Sequence, residues 1–213
     1  MRCIMISMLW PIIRSQWFRR VELQQLMNLT ARAFGKPARR IWTLPADKAL
    51  QVYAEYTRDN LQQAPSDELI RKMNDEAFRI GHRLRRVFRL RKQADVERLT
   101  VELYRHIGIT LEGRLPGQLC FRQCFFSHYY TPSVCLAASA LDEGIMRGLM
   151  GGGGRLCFHQ RITDGAPCCQ ATMRNHRTQR LFKPLTQKQY ATSNSNRKWC
   201  RRRHGGKDAR QEF

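Results

Sequence analysis

Apolar residues recur every three or four positions through the first half of the chain, a spacing typical of amphipathic helices. The clearest stripe follows Ser66, whose hydroxyl suits the capping position before a helix. This stripe comprises Leu69, Met73, Ala77, Ile80, Leu84 and Val87. Comparable patterns predict further helices over residues 11–34, 45–61 and 94–107. The first half of the chain is therefore predicted to be helical.

The period changes after Gly108, where apolar runs with a two-residue repeat are typical of strands. The predicted strands are Ile109–Glu112, Gln118–Ser127, Leu156–Thr163 and Cys168–Met173. Thr131 followed by Pro132 predicts the start of a helix that continues to about Leu149. We expect an α+β fold, with N-terminal helices followed by a small antiparallel sheet, one packed helix and a C-terminal hairpin.

Regular alternation along a strand predicts which side chains share a face. In the second predicted strand, the residues on one face are Cys120, Arg122, Cys124 and Phe126. In the third predicted strand, the residues on one face are Cys157, His159, Arg161 and Thr163. Phe121 and Phe158 are expected on the opposite faces of these two strands.

Composition divides the chain into three predicted parts. Residues 1–19 are a hydrophobic and basic N-terminal extension. Residues 20–173 form a single α+β ligand-binding domain, helical over 20–107 and strand-helix-hairpin over 108–173. Residues 174–213 carry twelve Lys/Arg against two acidic residues and show little apolar periodicity, so we expect a basic, disordered tail.

The formal net charge of +21 bears on the partners of the protein rather than on its fold. A cationic surface attracts nucleic acids and acidic membranes, so weak, non-specific contact with either through the basic tail is expected. No zinc-finger spacing or RNA-recognition motif accompanies the charge. A non-specific polyanion binder is therefore the third functional alternative, after the two described below.

The cysteines are concentrated in one stretch of the chain. Six of the eight lie between Gly117 and Met173. Because the cysteines cluster and no clear cleavable signal peptide is recognised in the sequence, we expect reduced thiols and a cytoplasmic location.

Cys135, His128 and Asp142 form the candidate catalytic set. Cys135 lies near a predicted helix N-terminus, where the helix dipole and free N–H groups lower the pKa of a thiol. His128 precedes it by seven residues and could act as a general base, while Asp142 could orient that base or activate water. The alternative for Cys135 is a small, buried apolar residue.

A metal site is the second candidate chemistry. Its proposed ligands are Cys124, Cys157, His159 and Cys169, a donor set that suits tetrahedral zinc. The sequence contains no Cys-x-x-Cys pair to support this site. No cofactor is expected, and zinc is the alternative if these side chains bind a metal.

The same stretch resembles a known family at Pro132-x-Val134–Cys135, Gly144, Gly148–Leu149 and Gly165–Ala166–Pro167–Cys168–Cys169. It is similar there to the C-terminal half of 4-vinyl reductase domains and of L-2-amino-thiazoline-4-carboxylate hydrolase-like proteins. The helical N-terminal half and Asp142 look closer to the hydrolase-like proteins. Arg161 departs from the pattern, because 4-vinyl reductase domains usually have another cysteine at that position.

The resemblance implies an α+β domain that binds a small organic molecule close to a cysteine. The leading expectation is a small-molecule-binding domain, with hydrolysis of a C–N bond in a thiazoline-carboxylate-like substrate through a cysteine nucleophile as its candidate activity. The alternative is a non-enzymatic sensor of a small ligand or metal, of the 4-vinyl reductase domain type. Such domains host unlike functions, so the resemblance fixes no substrate.

Overall fold

Helices fill the first half of the chain, as the apolar periodicity predicts. The structure is a computed structural model that describes residues 11, 13–62 and 65–175. Within these residues the helices with described bounds are α1 (Gln16–Phe34), α2 (Ala46–Leu61), α3 (Asp67–Val87), α4 (Gln93–His106) and α5 (Pro132–Leu149). None of the helices in this part of the chain combines the length and apolar character that crossing a membrane requires.

Side-chain caps explain where three of these helices begin. Ser15, Ser66 and Thr131 each accept a hydrogen bond from the backbone N–H three residues further on, at 3.1, 3.2 and 3.4 Å. Each bond satisfies a donor that the first helical turn leaves without an intrahelical partner. The predicted starts at Ser66 and Thr131 are thus explained by local hydrogen bonding.

The predicted boundaries of the domain can be compared with the structure only in part. Because α1 begins at Gln16, the predicted boundary between residues 19 and 20 falls inside a helix. Positions 1–10 and 12 of the predicted extension lie outside the described residues. The predicted tail also lies outside them from position 176 onward.

Four antiparallel strands form one sheet in the second half of the described chain. They are β1 (Ile109–Gly113), β2 (Gly117–Cys124), β3 (Gly154–Gln160) and β4 (Cys169–Asn175), in the order β1-β2-β4-β3. The α+β fold, with helices N-terminal and strands C-terminal, is confirmed. The second strand was predicted to reach Ser127, but it ends at Cys124 and a 3-10 helix over Phe125–His128 follows.

Two register shifts change the faces that regular alternation predicts. Ile109 pairs with Cys124 and Leu111 pairs with Phe121. These two pairs are three positions apart on β2 but only two positions apart on β1. The extra residue is a β-bulge, which turns Cys124 to the buried face with Phe121. The prediction that Cys124 shares a face with Cys120 is therefore wrong.

A second bulge acts on β3 in the same way. Phe158 pairs with Ala171 and Gln160 with Gln170, so β3 has one residue more than β4 at this point. Because of this extra residue, the side chain of Arg161 lies on the same face of the sheet as that of Phe158. The prediction that Arg161 shares a face with His159 is wrong for this reason.

The helices α3 and α5 approach so closely that glycine is required at their contact. A Cβ atom at Gly144 would lie 2.3 Å from the Asn74 carbonyl oxygen, and one at Gly148 would lie 2.5 Å from the Phe78 carbonyl oxygen. Gly81 on α3 meets the backbone of α5 in the same way. Two glycines that carry the family resemblance therefore serve helix packing in this chain.

The sheet has one covered face and one open face. Leu119, Phe121, Ala171 and Met173 are buried on the face that packs toward the helices. Gln118, Arg122 and Gln170 are exposed on the other face. The core therefore lies between the helices and one side of the sheet, and the cavity described below opens within it.

Candidate ligand-binding site

A cavity of about 90 Å³ lies in the core between the helices and the covered face of the sheet. We call it the inner cavity. Most of its lining is apolar or aromatic. These side chains come from the helices α1, α2, α4 and α5 and from the strands β1, β2 and β3. Its polar lining is confined to a few hydroxyl and thiol groups and two charged residues, Asp142 and Arg161. This mixture of an apolar wall with few polar groups is typical of small-molecule sites.

Asp142 faces the inner cavity from α5 and is hydrogen-bonded to Tyr104 of α4. The Tyr104 hydroxyl donates to Asp142 Oδ1 at 2.9 Å. Burial raises the pKa of the Asp142 carboxyl to about 6, against the opposing effects of the Tyr104 hydrogen bond and the Arg161 charge. Because that value is close to neutrality, Asp142 can hold or release a proton under physiological conditions.

Cys135 also lines the inner cavity, but its thiol is not activated. Its backbone N–H already donates to the Thr131 carbonyl oxygen at 2.9 Å, so it offers no free N–H to a thiolate. Burial raises the pKa of the Cys135 thiol to about 11, and Thr163 and Arg161 offset only part of that effect. The expectation that the helix N-terminus lowers this pKa is wrong, because burial outweighs the dipole at this depth.

His128 lies apart from the other two predicted catalytic residues. It ends the 3-10 helix over Phe125–His128 and is exposed, and it does not line the inner cavity. The structure thus brings Cys135 and Asp142 together and leaves His128 outside. A base for Cys135 would have to come from the cavity itself, where Asp142 is the ionisable carboxyl.

The predicted zinc ligands are divided between the two faces of the sheet. Cys124 and Cys169 line the inner cavity. His159 is exposed, and its Nε2 lies 2.6 Å from the hydroxyl of Thr172, while Cys157 does not line the cavity. Among the described residues, no group of three or more His, Cys, Asp or Glu side chains is placed to hold a metal ion.

Two further residues of the cavity, Tyr104 and Arg161, were not among the predicted site residues. The Arg161 guanidinium carbon lies 5.2 Å from the centre of the Phe158 ring. Its Nε atom is buried and has no hydrogen-bond partner among the described residues. One feature of the sequence pointed to Arg161 as a site residue. At this position the chain departs from the cysteine that is usual in 4-vinyl reductase domains.

No family model, no curated protein and no solved structure matches this chain. The resemblance to the two families therefore stays a prediction, and the geometry of the inner cavity is the basis for the function proposed below.

Proposed function

We propose that this protein binds a small organic acid in the inner cavity, with the ligand's carboxylate on Arg161. The observation that carries the proposal is the buried Nε of Arg161, which lacks a hydrogen-bond partner among the described residues. A buried donor without a partner costs about 1–3 kcal/mol, and more when it belongs to a charged group. An anionic ligand would remove that cost and form the two-pronged contact that guanidinium groups make with carboxylates.

The rest of the lining fits a ligand of this class. A cavity of about 90 Å³ is several times the volume that one water molecule requires, roughly 10–15 Å³ by the same kind of measure. The apolar wall would cover the carbon atoms of the ligand, and Asp142 with Tyr104 would meet a second polar group. Such a division between an apolar wall and a few polar contacts gives both affinity and orientation.

Isothermal titration calorimetry with butanoate tests this proposal. Replacement of Arg161 by Met keeps much of the side-chain volume and removes the charge, so binding should weaken by about 10- to 100-fold. The matched control is Arg122→Met on the open face of the sheet, where Arg122 contacts Glu112 at 2.7 Å and is well exposed. Equal butanoate affinity in the wild type and in Arg161→Met would contradict the proposal.

Hydrolysis with Cys135 as nucleophile is the second candidate function. The observation in its favour is that Cys135 and Asp142 line the same cavity. Transfer of the thiol proton to the Asp142 carboxylate is unfavourable, because the pKa values are about 11 and about 6. At 1.36 kcal/mol per pKa unit, this proton transfer costs about 7 kcal/mol before the thiolate can attack a substrate. Binding without turnover is therefore the leading proposal.

Turnover of a thiazoline carboxylate separates the two candidates. Binding alone predicts that the wild type takes up this compound and returns it unchanged. Hydrolysis predicts cleavage of its C–N bond that is lost in Cys135→Ser and retained in Cys120→Ser, a control on the open face of the sheet. Cleavage that depends on Cys135 would make the protein an enzyme and would refute binding as its sole function.

A further inference from the structure

A second and larger cavity lies beside Tyr104 and Asp142. This outer cavity, of about 300 Å³, is formed by α1, α3, α4 and α5. Its apolar lining includes Phe18, Val21, Leu84, Val87, Phe88 and Leu103. The residues that line both cavities are Leu26, Tyr104, Ile107, Asp142 and Ile145. The two cavities therefore adjoin each other at these five residues.

We infer that the outer cavity holds the apolar body of the ligand whose carboxylate meets Arg161, so that the ligand is an amphipathic monocarboxylic acid. The inference rests on the proposed function and extends it to a class of ligand. The inner cavity, at about 90 Å³, accommodates a head group, whereas the outer cavity, at about 300 Å³, accommodates a chain or ring system. Burial of that apolar surface would supply most of the affinity.

The hydrogen-bond partners of the charged groups favour an acid over an apolar amine. Glu22 and Asp142 line the outer cavity and would attract an amine. However, Glu22 Oε2 lies 2.7 Å from His106 Nδ1, and Asp142 Oδ1 accepts from the Tyr104 hydroxyl at 2.9 Å. The buried Arg161 Nε has no such partner among the described residues. An anion therefore gains more from this site than a cation does.

The exposed side of the outer cavity also suits an amphipathic anion. Val87 lines it and is 58% exposed, which leaves an apolar side chain in contact with solvent. Arg83 lines the same cavity and is exposed, and α3 also exposes Arg79 and Arg86. The cationic groups would attract a carboxylate to the apolar opening and so favour its entry.

The affinities of straight-chain acids from butanoate to decanoate for the 213-residue chain test this inference. Each methylene group that enters the outer cavity should strengthen binding by up to about fourfold. The expected result is therefore a steady rise in affinity with chain length, measured by calorimetry below the micelle concentration of each acid. Octanoate binding no tighter than butanoate would overturn the inference and leave the proposed function intact.

Leu84→Trp adds a structural control, because Leu84 lines the outer cavity and not the inner one, so a larger side chain there fills the outer cavity. It should weaken octanoate binding by about tenfold or more and change butanoate binding by less than about twofold. Val101→Trp on α4 is the matched variant, at a position that is 42% exposed and lines neither cavity. Unchanged octanoate affinity in Leu84→Trp would overturn the inference.

The two claims fail in different ways. Loss of butanoate binding in Arg161→Met together with no dependence on chain length supports the proposed function and refutes the outer-cavity inference. Absence of binding by every acid in the series refutes both. The wild-type length series remains decisive even if Leu84→Trp does not fold.

Discussion

Asp142→Asn is expected to stabilise the protein at neutral pH, although it removes a charged residue from the candidate site. The carboxyl ionises at pH 3.8 in its reference state and at about pH 6 in the folded protein, because burial disfavours the charged form. Below pH 3.8 the group is neutral in both states and has no differential effect. As pH rises from there to about 6, the unfolded chain loses the proton while the folded protein retains it, so stability falls.

The magnitude follows from the two pKa values. The difference of about 2.2 units, at 1.36 kcal/mol each, is about 3 kcal/mol, which is fully expressed above pH 6. The asparagine cannot ionise, and its side-chain oxygen can still accept the Tyr104 hydrogen bond. We therefore expect Asp142→Asn to be more stable than the wild type by up to about 3 kcal/mol near pH 7.5 and by about 1 kcal/mol near pH 4.5.

Urea denaturation at these two pH values measures both differences, with the unfolding slope as a check on two-state behaviour. Asp164→Asn is the matched control, since Asp164 follows Arg161 by three positions in the chain but is exposed. Because Asp164 lacks the burial that acts on Asp142, this variant should not reproduce the stabilisation. Destabilisation by Asp142→Asn at neutral pH, or a difference that does not grow with pH, would refute the reasoning. The expected result would mean that folding tolerates an unfavourable carboxylate at the cavity wall, as functional sites commonly require.

Three further outcomes are expected. Gly148→Ala should lower the free energy of unfolding by about 1–3 kcal/mol in chemical denaturation, because the new Cβ would lie 2.5 Å from the Phe78 carbonyl oxygen. A neutral effect would contradict the close packing of α3 on α5. Cys135 should react with iodoacetamide roughly 100-fold more slowly than a free cysteine at pH 7, since its thiol pKa is raised to about 11. Equal rates by mass spectrometry would contradict that pKa. Butanoate should bind more weakly as pH rises through about 6, because ionised Asp142 repels its carboxylate. Calorimetry should show no such weakening in Asp142→Asn, and a wild-type affinity that rises with pH would contradict the assignment.

Local sequence signals account for most of the fold. The apolar stripe after Ser66 predicts α3, and Thr131 with Pro132 predicts the start of α5, because helix periodicity and caps depend on residues close together in the chain. The sheet followed from the change of period after Gly108. The error at Ser127, where a 3-10 helix replaces the end of the strand, arises because Phe and Ser residues are compatible with both structures.

The candidate site could be predicted only in part, because its geometry depends on non-local features. Cys135 and Asp142 share one face of a helix, so their convergence follows from helical spacing. The inward turn of Cys124 and Arg161 depends on two bulges, which alternation alone does not reveal. Tyr104 of α4 meets the cavity through its hydrogen bond to Asp142 of α5, a contact between residues that lie 38 positions apart in sequence.

The most direct test of an acid-binding site at Arg161 is the NMR signal of its own Nε–H group. Because this Nε is buried, its proton should exchange slowly enough to be observed with ¹⁵N-labelled arginine, and Arg161→Met assigns it by its disappearance. On titration with butanoate we predict that the Arg161 signal moves progressively to saturation, with the same dissociation constant that calorimetry gives. An Arg161 signal that stays fixed while butanoate binds elsewhere would contradict the account.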